Sequence, residues 1–385
     1  MSTDGDSSAF DVAPCRIGRN SLKWGKYEGK DILPLWVADM DFESPKEVVE
    51  AAMQASSFGN FGYGRCPDSL VDAVVERCRI LYDWEIEKSW IVWLPGMVCA
   101  LNVCCRVCRD ASQVITQTPI YPPFLTAPGN FDLVCTRLPM ILKDERFTLD
   151  FDSLDELYTQ PGDLFMLCHP HNPVGTVFTR EELAKLSNWI VERSLVLCSD
   201  EIHCDLILDA AQKHQPFASI DSLIADRAIT LMAPSKTFNL PGFGCSYAII
   251  SNGELRRKFK RCMSGIVPDP PAMSFSLTEA AYRSGEGWRT NLLAYLTGNR
   301  NFAVEELKKH SKLEVYSPEA TYLLWIDATK LPISNPHRYF ETKGVGLSDG
   351  RDFGAPGFLR LNFGCTRSLL QKALDRMDHA LSELS

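Results

Sequence analysis

A lysine placed directly after an apolar run is the residue best suited to covalent chemistry in this sequence. Lys236 follows residues 228–232, which read as a buried strand, and sits in the turn Pro234-Ser-Lys-Thr-Phe-Asn239. Burial removes water from an ammonium group, so its pKa falls and the free amine can form a Schiff base with an aldehyde. A solvated surface lysine is the commoner meaning of Ser-Lys at a strand end, so the assignment depends on other residues.

Asp200 ends a second apolar run, residues 195–199, in the sequence Ser199-Asp-Glu-Ile-His203. A buried carboxylate is costly unless a cation pairs with it. That cation could be a nearby arginine, which would make Asp200 structural, or the protonated ring nitrogen of a bound pyridine. His203 has no partner at metal-binding spacing, so we expect no metal here.

Four more polar or glycine positions fall in or after predicted strands. Gly96 opens a helix whose free N–H groups could hold a phosphate, although a plain strand-to-helix turn has the same sequence. Tyr121 offers an aromatic plate, and Asn172 stands between prolines as a turn former or an amide donor. Arg360, in the apolar stretch Leu359-Arg-Leu-Asn362, could grip a carboxylate with both arms or be an edge-strand charge.

Strands and helices alternate over about 200 residues, which predicts an α/β fold with a largely parallel sheet and helices on both faces. In such sheets, functional groups gather at the carboxyl ends of the strands. Helical and strand patterns after residue 285 predict a smaller α+β domain. We therefore expect an N-terminal segment at 1–45 that packs with the small domain, a large domain at 46–285 and a small domain at 286–385.

Composition narrows the function classes. The 385 residues are 45% hydrophobic and carry a net charge of −9, which argues against nucleic acid and anionic membrane surfaces as partners. No apolar run approaches the roughly 18 residues of a membrane-spanning helix, and the acidic start is unlike a targeting peptide, so we expect a cytoplasmic protein. The 14 cysteines, including the cluster Cys99, Cys104, Cys105 and Cys108, are expected to be reduced and mostly packed in the core.

Taken in order, these motifs resemble pyridoxal-phosphate enzymes of fold type I, in the class I/II aminotransferase-like group. The likeness runs from about residue 20 to the C-terminus. Within that group, the stretches 37–42, 61–63, 199–203 and 234–239 look most like the MalY/PatB-type cystathionine β-lyases, which are cysteine-S-conjugate C–S lyases. The resemblance implies an aspartate aminotransferase-like fold, with a mainly parallel seven-stranded sheet between helices and a smaller α+β domain.

The same resemblance implies a role for each matching residue. Lys236 would hold the pyridoxal 5′-phosphate aldehyde and transfer protons, Asp200 would keep the ring nitrogen protonated, and Tyr121 would stack on the ring. Asn172 and His203 would lie near the ring's phenolic oxygen. The phosphate would be held by Gly96, Met97, Val98 and Ser235, with Tyr63 reaching in from the second subunit of a homodimer. The substrate α-carboxylate would be bound by Arg360, Asn172 and the backbone near Val37 and Ala38.

Two positions depart from the wider aminotransferase pattern. Ala233 stands where many relatives have a phosphate-binding serine, and Gly244 stands where an arginine often meets the phosphate. The partner that neutralises the phosphate is therefore left open. The lyase branch also tends to lack that arginine.

The resemblance implies elimination of a thiol from L-cystathionine or an S-substituted L-cysteine, giving pyruvate and ammonia. An aminotransferase would use the same residues, with Lys236 returning the proton to the cofactor instead. A regulatory protein that keeps the cofactor and acts through a partner is a third hypothesis. The physiological thioether stays open.

Overall fold

The computed structural model describes residues 7–384. The strands in chain order are β1 Leu33–Pro34, β2 Ile91–Leu94, β3 Gln113–Thr118, β4 Val134–Pro139, β5 Ile141–Lys143, β6 Arg146–Thr148, β7 Leu164–Cys168, β8 Val196–Asp200, β9 Ala228–Met232, β10 Ser246–Ile249, β11 Glu314–Tyr316, β12 Leu323–Asp327, β13 Val345–Gly346, β14 Ser348–Asp349 and β15 Phe358–Asn362.

The α-helices are α1 Leu22–Gly25, α2 Lys46–Ser57, α3 Asp68–Tyr82, α4 Met97–Val107, α5 Pro122–Thr126, α6 Phe151–Asp155, α7 Arg180–Glu192, α8 Ser222–Ala225, α9 Gly253–Met263, α10 Ala272–Ser284, α11 Glu286–Lys308, α12 Pro336–Thr342 and α13 Arg367–Ser382. Short 3₁₀ turns lie between several of them.

Seven strands form the main sheet, in the order β2-β10-β9-β8-β7-β3-β4. Strands β4, β3, β7, β8 and β9 run parallel to one another, and β10 is antiparallel to both β9 and β2. The predicted α/β class with a mainly parallel seven-stranded sheet is confirmed. Strand β10, which lies antiparallel between β2 and β9, is not among the strands predicted from the sequence.

Helices cover both faces of this sheet. Successive residues of a strand point to opposite faces, and the central strands β7 and β9 are buried at every position, so both faces must be covered. On one face, Phe165 packs in a core cluster with Val74 of α3 and Leu186 of α7. On the other face, Met166 packs in a cluster with Leu101 of α4. The carboxyl ends of β7, β8 and β9 therefore meet at one edge, between the two helical layers.

A second sheet, with strand order β11-β12-β15-β14, follows later in the chain. Leu324 of β12 and Leu361 of β15 share a core cluster with Leu296 of α11, Leu374 of α13 and the N-terminal Leu35. The N-terminal segment also pairs β1 with β13 in parallel. The boundaries at 45 and 285 stay predictions, and residues 1–6 and 385 of the terminal segments lie outside the described residues.

Within residues 7–384, no helix combines the length and apolar character needed to cross a membrane.

All fourteen cysteines are free. In the cluster on and just after α4, Cys104, Cys105 and Cys108 are buried and Cys99 is half-buried. Three of these four thiols therefore pack in the core, as the sequence predicts.

Candidate active site

A cavity of about 280 Å³ opens at the carboxyl ends of the parallel strands. Its walls hold every predicted site residue except Tyr63: Val37, Ala38, Gly96, Met97, Val98, Tyr121, Asn172, Asp200, His203, Ser235, Lys236 and Arg360. These residues come from seven separate stretches of chain. The fold brings them together because strand ends and the N-terminal segment converge there.

Lys236 reaches the cavity from the turn that follows β9. Burial, together with the nearby charge of Arg360, lowers the pKa of its amine to about 8, although Asp39 and Asp200 act in the opposite direction. The Nζ atom donates a 2.6 Å hydrogen bond to the backbone oxygen of Ala38. The amine is thus desolvated and held in place, as a lysine that must react in its neutral form requires.

Asp200 ends β8, and only 2% of its surface is exposed. Burial raises the pKa of this carboxyl to about 7; the hydrogen bond from the Ile202 N–H and the charge of Lys236 lower it, while Glu201 raises it. Among the described residues, no arginine or lysine forms an ion pair with it. The arginine partner that would have made Asp200 structural is therefore missing, and the carboxylate faces the cavity.

Three ring and amide groups line the same cavity. Asn172 follows β7, and its backbone oxygen accepts a 3.1 Å hydrogen bond from the Tyr121 N–H, which fixes the two loops together. His203 is buried, and its pKa lies well below the usual value because of burial and the charges of Lys236 and Arg360. Its Nδ1 has no partner among the described residues. A neutral imidazole facing the cavity can accept or donate a hydrogen bond to a bound molecule.

Arg360 lies on β15 with 5% of its surface exposed, so it enters the cavity from the second sheet. One arm donates to Asn172 Oδ1 at 2.9 Å, and the other donates to the Trp36 oxygen at 2.9 Å and to Ser348 Oγ at 3.2 Å. Burial lowers its pKa to about 10. All three acceptors are neutral, so they fix the guanidinium group without neutralising its positive charge. That charge can still pair with a bound anion.

The start of α4 forms another wall of the cavity. Gly96 precedes the helix, and the N–H groups of its first residues, Met97 and Val98, have no acceptor within the helix. The helix dipole adds partial positive charge at this end. Ser235 supplies a hydroxyl on the same cavity wall. Helix start and hydroxyl together suit a phosphate group.

Both departures from the aminotransferase pattern face this cavity. Gly244 has φ of +60°, and a Cβ there would lie 2.7 Å from the Pro95 oxygen, so the backbone conformation and the close contact both require glycine. Ala233 is 4% exposed. Lys236 and Arg360 are the only lysine or arginine among the described residues that line the cavity. Among the groups that line the cavity, the start of α4 and the Ser235 hydroxyl are therefore the candidates for holding a phosphate.

Tyr63 lies away from the cavity. It belongs to the stretch 58–66, which follows α2 without forming a helix or strand and in which Phe58, Phe61 and Tyr63 are largely exposed. This stretch lines a separate open groove together with Pro271 and Met273. The prediction that Tyr63 acts in a second subunit's cavity stays a prediction.

Sequence reasoning missed several residues of the site. Cys168, Ile202 and Cys245 also line the cavity. Trp36 and Ser348 provide acceptors that hold the Arg360 side chain. Both are distant from Arg360 in sequence, and no local pattern marks them. Among these residues, Cys168 alone could have been found from the sequence, because it is the last residue of an apolar strand pattern.

The cavity fits pyridoxal 5′-phosphate by its own chemistry. It has an unpaired buried carboxylate for a ring nitrogen, a desolvated amine for an aldehyde and a helix start for a phosphate. Arg360 Nε and His203 Nδ1 are buried without a partner among the described residues. Buried polar atoms normally have a hydrogen-bond partner, so two such atoms without one in the described part of the chain are expected where a ligand binds.

The chain belongs to the aminotransferase class I and II family, whose model matches residues 30–377. Cystathionine beta-lyase PatB of Bacillus subtilis is 35% identical over 386 residues, covering 97% of this chain and all of PatB.

Two solved structures are also similar along nearly the whole chain. The crystal structure of OvoB shares 42% identity with a TM-score of 0.94, covering 97% of this chain and 99% of that one. Cystalysin from Treponema denticola, which contains pyridoxal 5′-phosphate, shares 29% identity with a TM-score of 0.91, covering 98% and 99%. The predicted likeness to the PatB-type lyases is confirmed.

Proposed function

We propose that this protein is a pyridoxal-phosphate-dependent C–S β-lyase. It cleaves L-cystathionine or another S-substituted L-cysteine, with one water, into a thiol, pyruvate and ammonia. The observation that carries the proposal is the convergence of Lys236, Asp200 and Arg360 on one cavity. The likeness to PatB supports the choice of a C–S lyase within the family.

The cofactor supplies an electron sink for the pair of electrons left when the substrate's α-proton is removed. Asp200 serves that sink because its carboxylate balances a positive charge on the ring nitrogen. Tyr121 and the main-chain groups around Gly96 keep the ring and the phosphate in position. The chain's own residues then have to orient the substrate and move protons.

Arg360 binds the substrate's α-carboxylate with both arms of its guanidinium, assisted by Asn172 and the backbone at Val37 and Ala38. This fixes the α-carbon relative to Lys236. The amine of Lys236, with its pKa lowered to about 8 chiefly by burial, takes the α-proton near neutral pH. The C–S bond at the neighbouring carbon then breaks, and the sulfur leaves as a thiol after it gains a proton.

We propose a homodimer with shared active sites as part of this function. The stretch 58–66 exposes Phe58 by 79% and Phe61 by 74%, which is costly for a monomer in water. Tyr63 on the same stretch would bring its hydroxyl to the phosphate in a second subunit. That contact would supplement the helix start, where Ala233 and Gly244 offer no side-chain donor.

Pyruvate release without any added keto acid tests the function directly. The purified protein is incubated with cystathionine and with a panel of S-alkyl and S-aryl cysteines, and both pyruvate and thiol are measured. Equal amounts of pyruvate and thiol support the lyase. A strict requirement for a keto-acid acceptor would make the protein an aminotransferase, and a bound cofactor with no turnover on any amino acid would favour a regulatory role.

A further inference from the structure

A buried polar cluster lies behind Asp200, away from the cavity. Glu201 is fully buried, and its Oε1 accepts hydrogen bonds from Ser199 Oγ at 2.8 Å and from the Phe217 N–H at 2.9 Å. Its Oε2 lies 2.7 Å from His214 Nε2. Three groups thus converge on one carboxylate next to the cavity's acid, and the reaction proposed above uses none of them.

The hydrogen bonds of the two histidines fix which nitrogen carries the proton. His214 Nδ1 has no partner among the described residues, so a proton there would be a buried N–H without an acceptor. The proton therefore sits on Nε2 and is donated to Glu201. His169, whose ring centre lies 4.6 Å from that of His214, likewise bonds through Nε2 to the Gln215 oxygen and leaves Nδ1 unpartnered. Burial lowers the pKa of both imidazoles to about 3, so both are neutral.

Glu201 and Asp200 compete to ionise because two adjacent buried carboxylates repel each other as anions. Burial is the main reason why the pKa of each carboxyl group is raised. The two groups differ in how many hydrogen-bond donors reach them. Glu201 accepts bonds from three donors. Asp200 accepts one from the Ile202 N–H, at 3.2 Å. Each donor favours the ionised form, so the hydrogen-bond geometry favours the charge on Glu201 and the proton on Asp200.

Other charged or titratable groups surround the pair. Lys236 favours an ionised Asp200 when it is protonated, but its own pKa is lowered to about 8 chiefly by burial. Three neutral groups also face the pair: Tyr121 and Cys168 lie near Asp200, and Cys78 of α3 lies near Glu201. Further titratable neighbours of the cluster, on α3 and α7 and in the loop after β8, are Arg77, Tyr82, Glu182, Cys204 and Asp205. Arg77 lies 2.8 Å from Asp205, so its charge is compensated locally.

We propose that Glu201, held ionised by His214, Ser199 and the Phe217 N–H, keeps a proton on Asp200 until the cofactor binds and receives that proton on its ring nitrogen. The O–H bond at Asp200 breaks and an N–H bond forms on the ring, which leaves a carboxylate facing a cation and needs no other reactant. Glu201 is a positioning residue, since it acts through Asp200. The inference rests on the cofactor of the proposed function, and it is independent of which reaction follows.

Calorimetry of pyridoxal 5′-phosphate binding to the cofactor-free full-length chain tests the proposal. Titrations at pH 7 in buffers of different ionisation enthalpy give the number of protons taken from solvent per cofactor bound. Glu201→Gln removes the competing charge, so Asp200 ionises in the empty site and the ring proton must come from solvent. We expect the variant to take up about half to one proton more than the wild type, since ionising one neighbour no longer hinders the other. Proton changes at Lys236 occur in both proteins and largely cancel, because an amine with a pKa of about 8 is already mostly protonated at pH 7 whichever form Asp200 takes.

A second variant keeps the test decisive if Glu201→Gln does not fold. His214→Phe removes one donor from Glu201 and should increase proton uptake in the same direction by a smaller amount. Ser187→Ala is the matched control, because it removes a buried hydroxyl on α7 that donates a hydrogen bond to Asp221. It should leave the number of protons taken up unchanged.

A merely structural role for Glu201 would lower the melting temperature of its variants without changing proton uptake. Equal counts in the wild type and in every folded variant at Glu201 or His214 would overturn the proposal. A protein that shows the calorimetric difference but releases no pyruvate would refute the lyase reaction alone.

Discussion

Lys236 Nζ donates a hydrogen bond to the backbone oxygen of Ala38, a residue 198 positions earlier in the chain. The same oxygen accepts a 3.0 Å bond from the Tyr322 hydroxyl. Asn362 Nδ2 holds the carbonyls on either side, at Val37 and Asp39. The N-terminal segment and the second sheet therefore fix the position of the amine that the turn after β9 delivers.

Lys236→Ala should abolish turnover while leaving the fold intact. The variant loses both the amine that joins the cofactor and the base that removes the α-proton, and loss of a base alone costs about 10²–10⁴-fold. Pyruvate release and circular dichroism of wild type and variant measure the two effects. Lys88→Ala, at an exposed position, serves as the control. Substantial activity in Lys236→Ala would refute the assignment.

The lowered pKa of Lys236 predicts how covalent capture of the cofactor depends on pH. An amine with a pKa of about 8 is roughly one-tenth neutral at pH 7, whereas an ordinary lysine is neutral only to roughly 0.03%. The neutral fraction rises with pH, reaches one half at a pH of about 8 and levels off above about pH 9. We expect the rate of borohydride trapping of pyridoxal 5′-phosphate on the cofactor-free chain to follow this curve. A midpoint near that of ordinary lysines would contradict the desolvated site.

Arg360→Lys should weaken substrate binding more than it slows the chemical step. Lysine keeps the charge but cannot hold a carboxylate with two parallel bonds while also bonding Asn172 and Trp36. Loss of a charged hydrogen bond of about 1.5–3 kcal/mol predicts a rise in KM of roughly 10- to 100-fold. Steady-state kinetics measure this, with exposed Arg351→Lys as the control.

The substrate itself offers a further test of Arg360. Replacing the substrate's α-carboxylate by a carboxamide should cost the wild type much more than it costs Arg360→Lys, since the two changes remove the same interaction. If the variant discriminates between acid and amide as strongly as the wild type, Arg360 does not bind the carboxylate.

Local patterns predicted the strand ends well, since β9 has the predicted bounds 228–232 and β8 ends one residue after the predicted run 195–199. Asp200 and Lys236 follow apolar runs, and a parallel sheet collects such ends at one edge. What the sequence could not give was contact between distant segments. Trp36, Ser348 and Glu201 contribute backbone or buried polar groups whose value depends on tertiary packing, which leaves no periodic signal.

Mixing two inactive variants tests whether Tyr63 acts across subunits. A Tyr63→Ala chain keeps Lys236, and a Lys236→Ala chain keeps Tyr63, so a mixed dimer contains one complete site. Random reassembly of equal amounts should restore about a quarter of all sites, because half of the dimers are mixed. Pyruvate release after mixing, scaled to the wild type, measures this. Tyr158→Ala, exposed by 76% elsewhere on the surface, should be fully active unmixed. No recovery in the mixture would argue against shared sites.

Lys23→Met should destabilise the protein far more than a change at an exposed lysine. Lys23 is 0% exposed, and its Nζ lies 2.8 Å from Asp41 Oδ2 and donates to the Asp39 oxygen at 3.2 Å. Removing one partner of a buried ion pair costs about 3–5 kcal/mol. Arg16, 2.9 Å from Asp41 Oδ1, still compensates part of the charge, so we expect the lower end of that range.

Urea denaturation of both proteins gives the change in the free energy of unfolding. Lys46→Met is the matched control, because Lys46 pairs with Glu50 at 3.3 Å on the surface, where such pairs contribute about 0–1 kcal/mol. Asp39 and Asp41 lie in the N-terminal segment shortly after Ala38, whose backbone oxygen accepts the hydrogen bond from Lys236. If Lys23 anchors that segment, Lys23→Met should also slow borohydride trapping at Lys236 in protein that is still folded. Equal effects of the two lysine substitutions on unfolding would show that the buried pair does not hold the N-terminal segment in place.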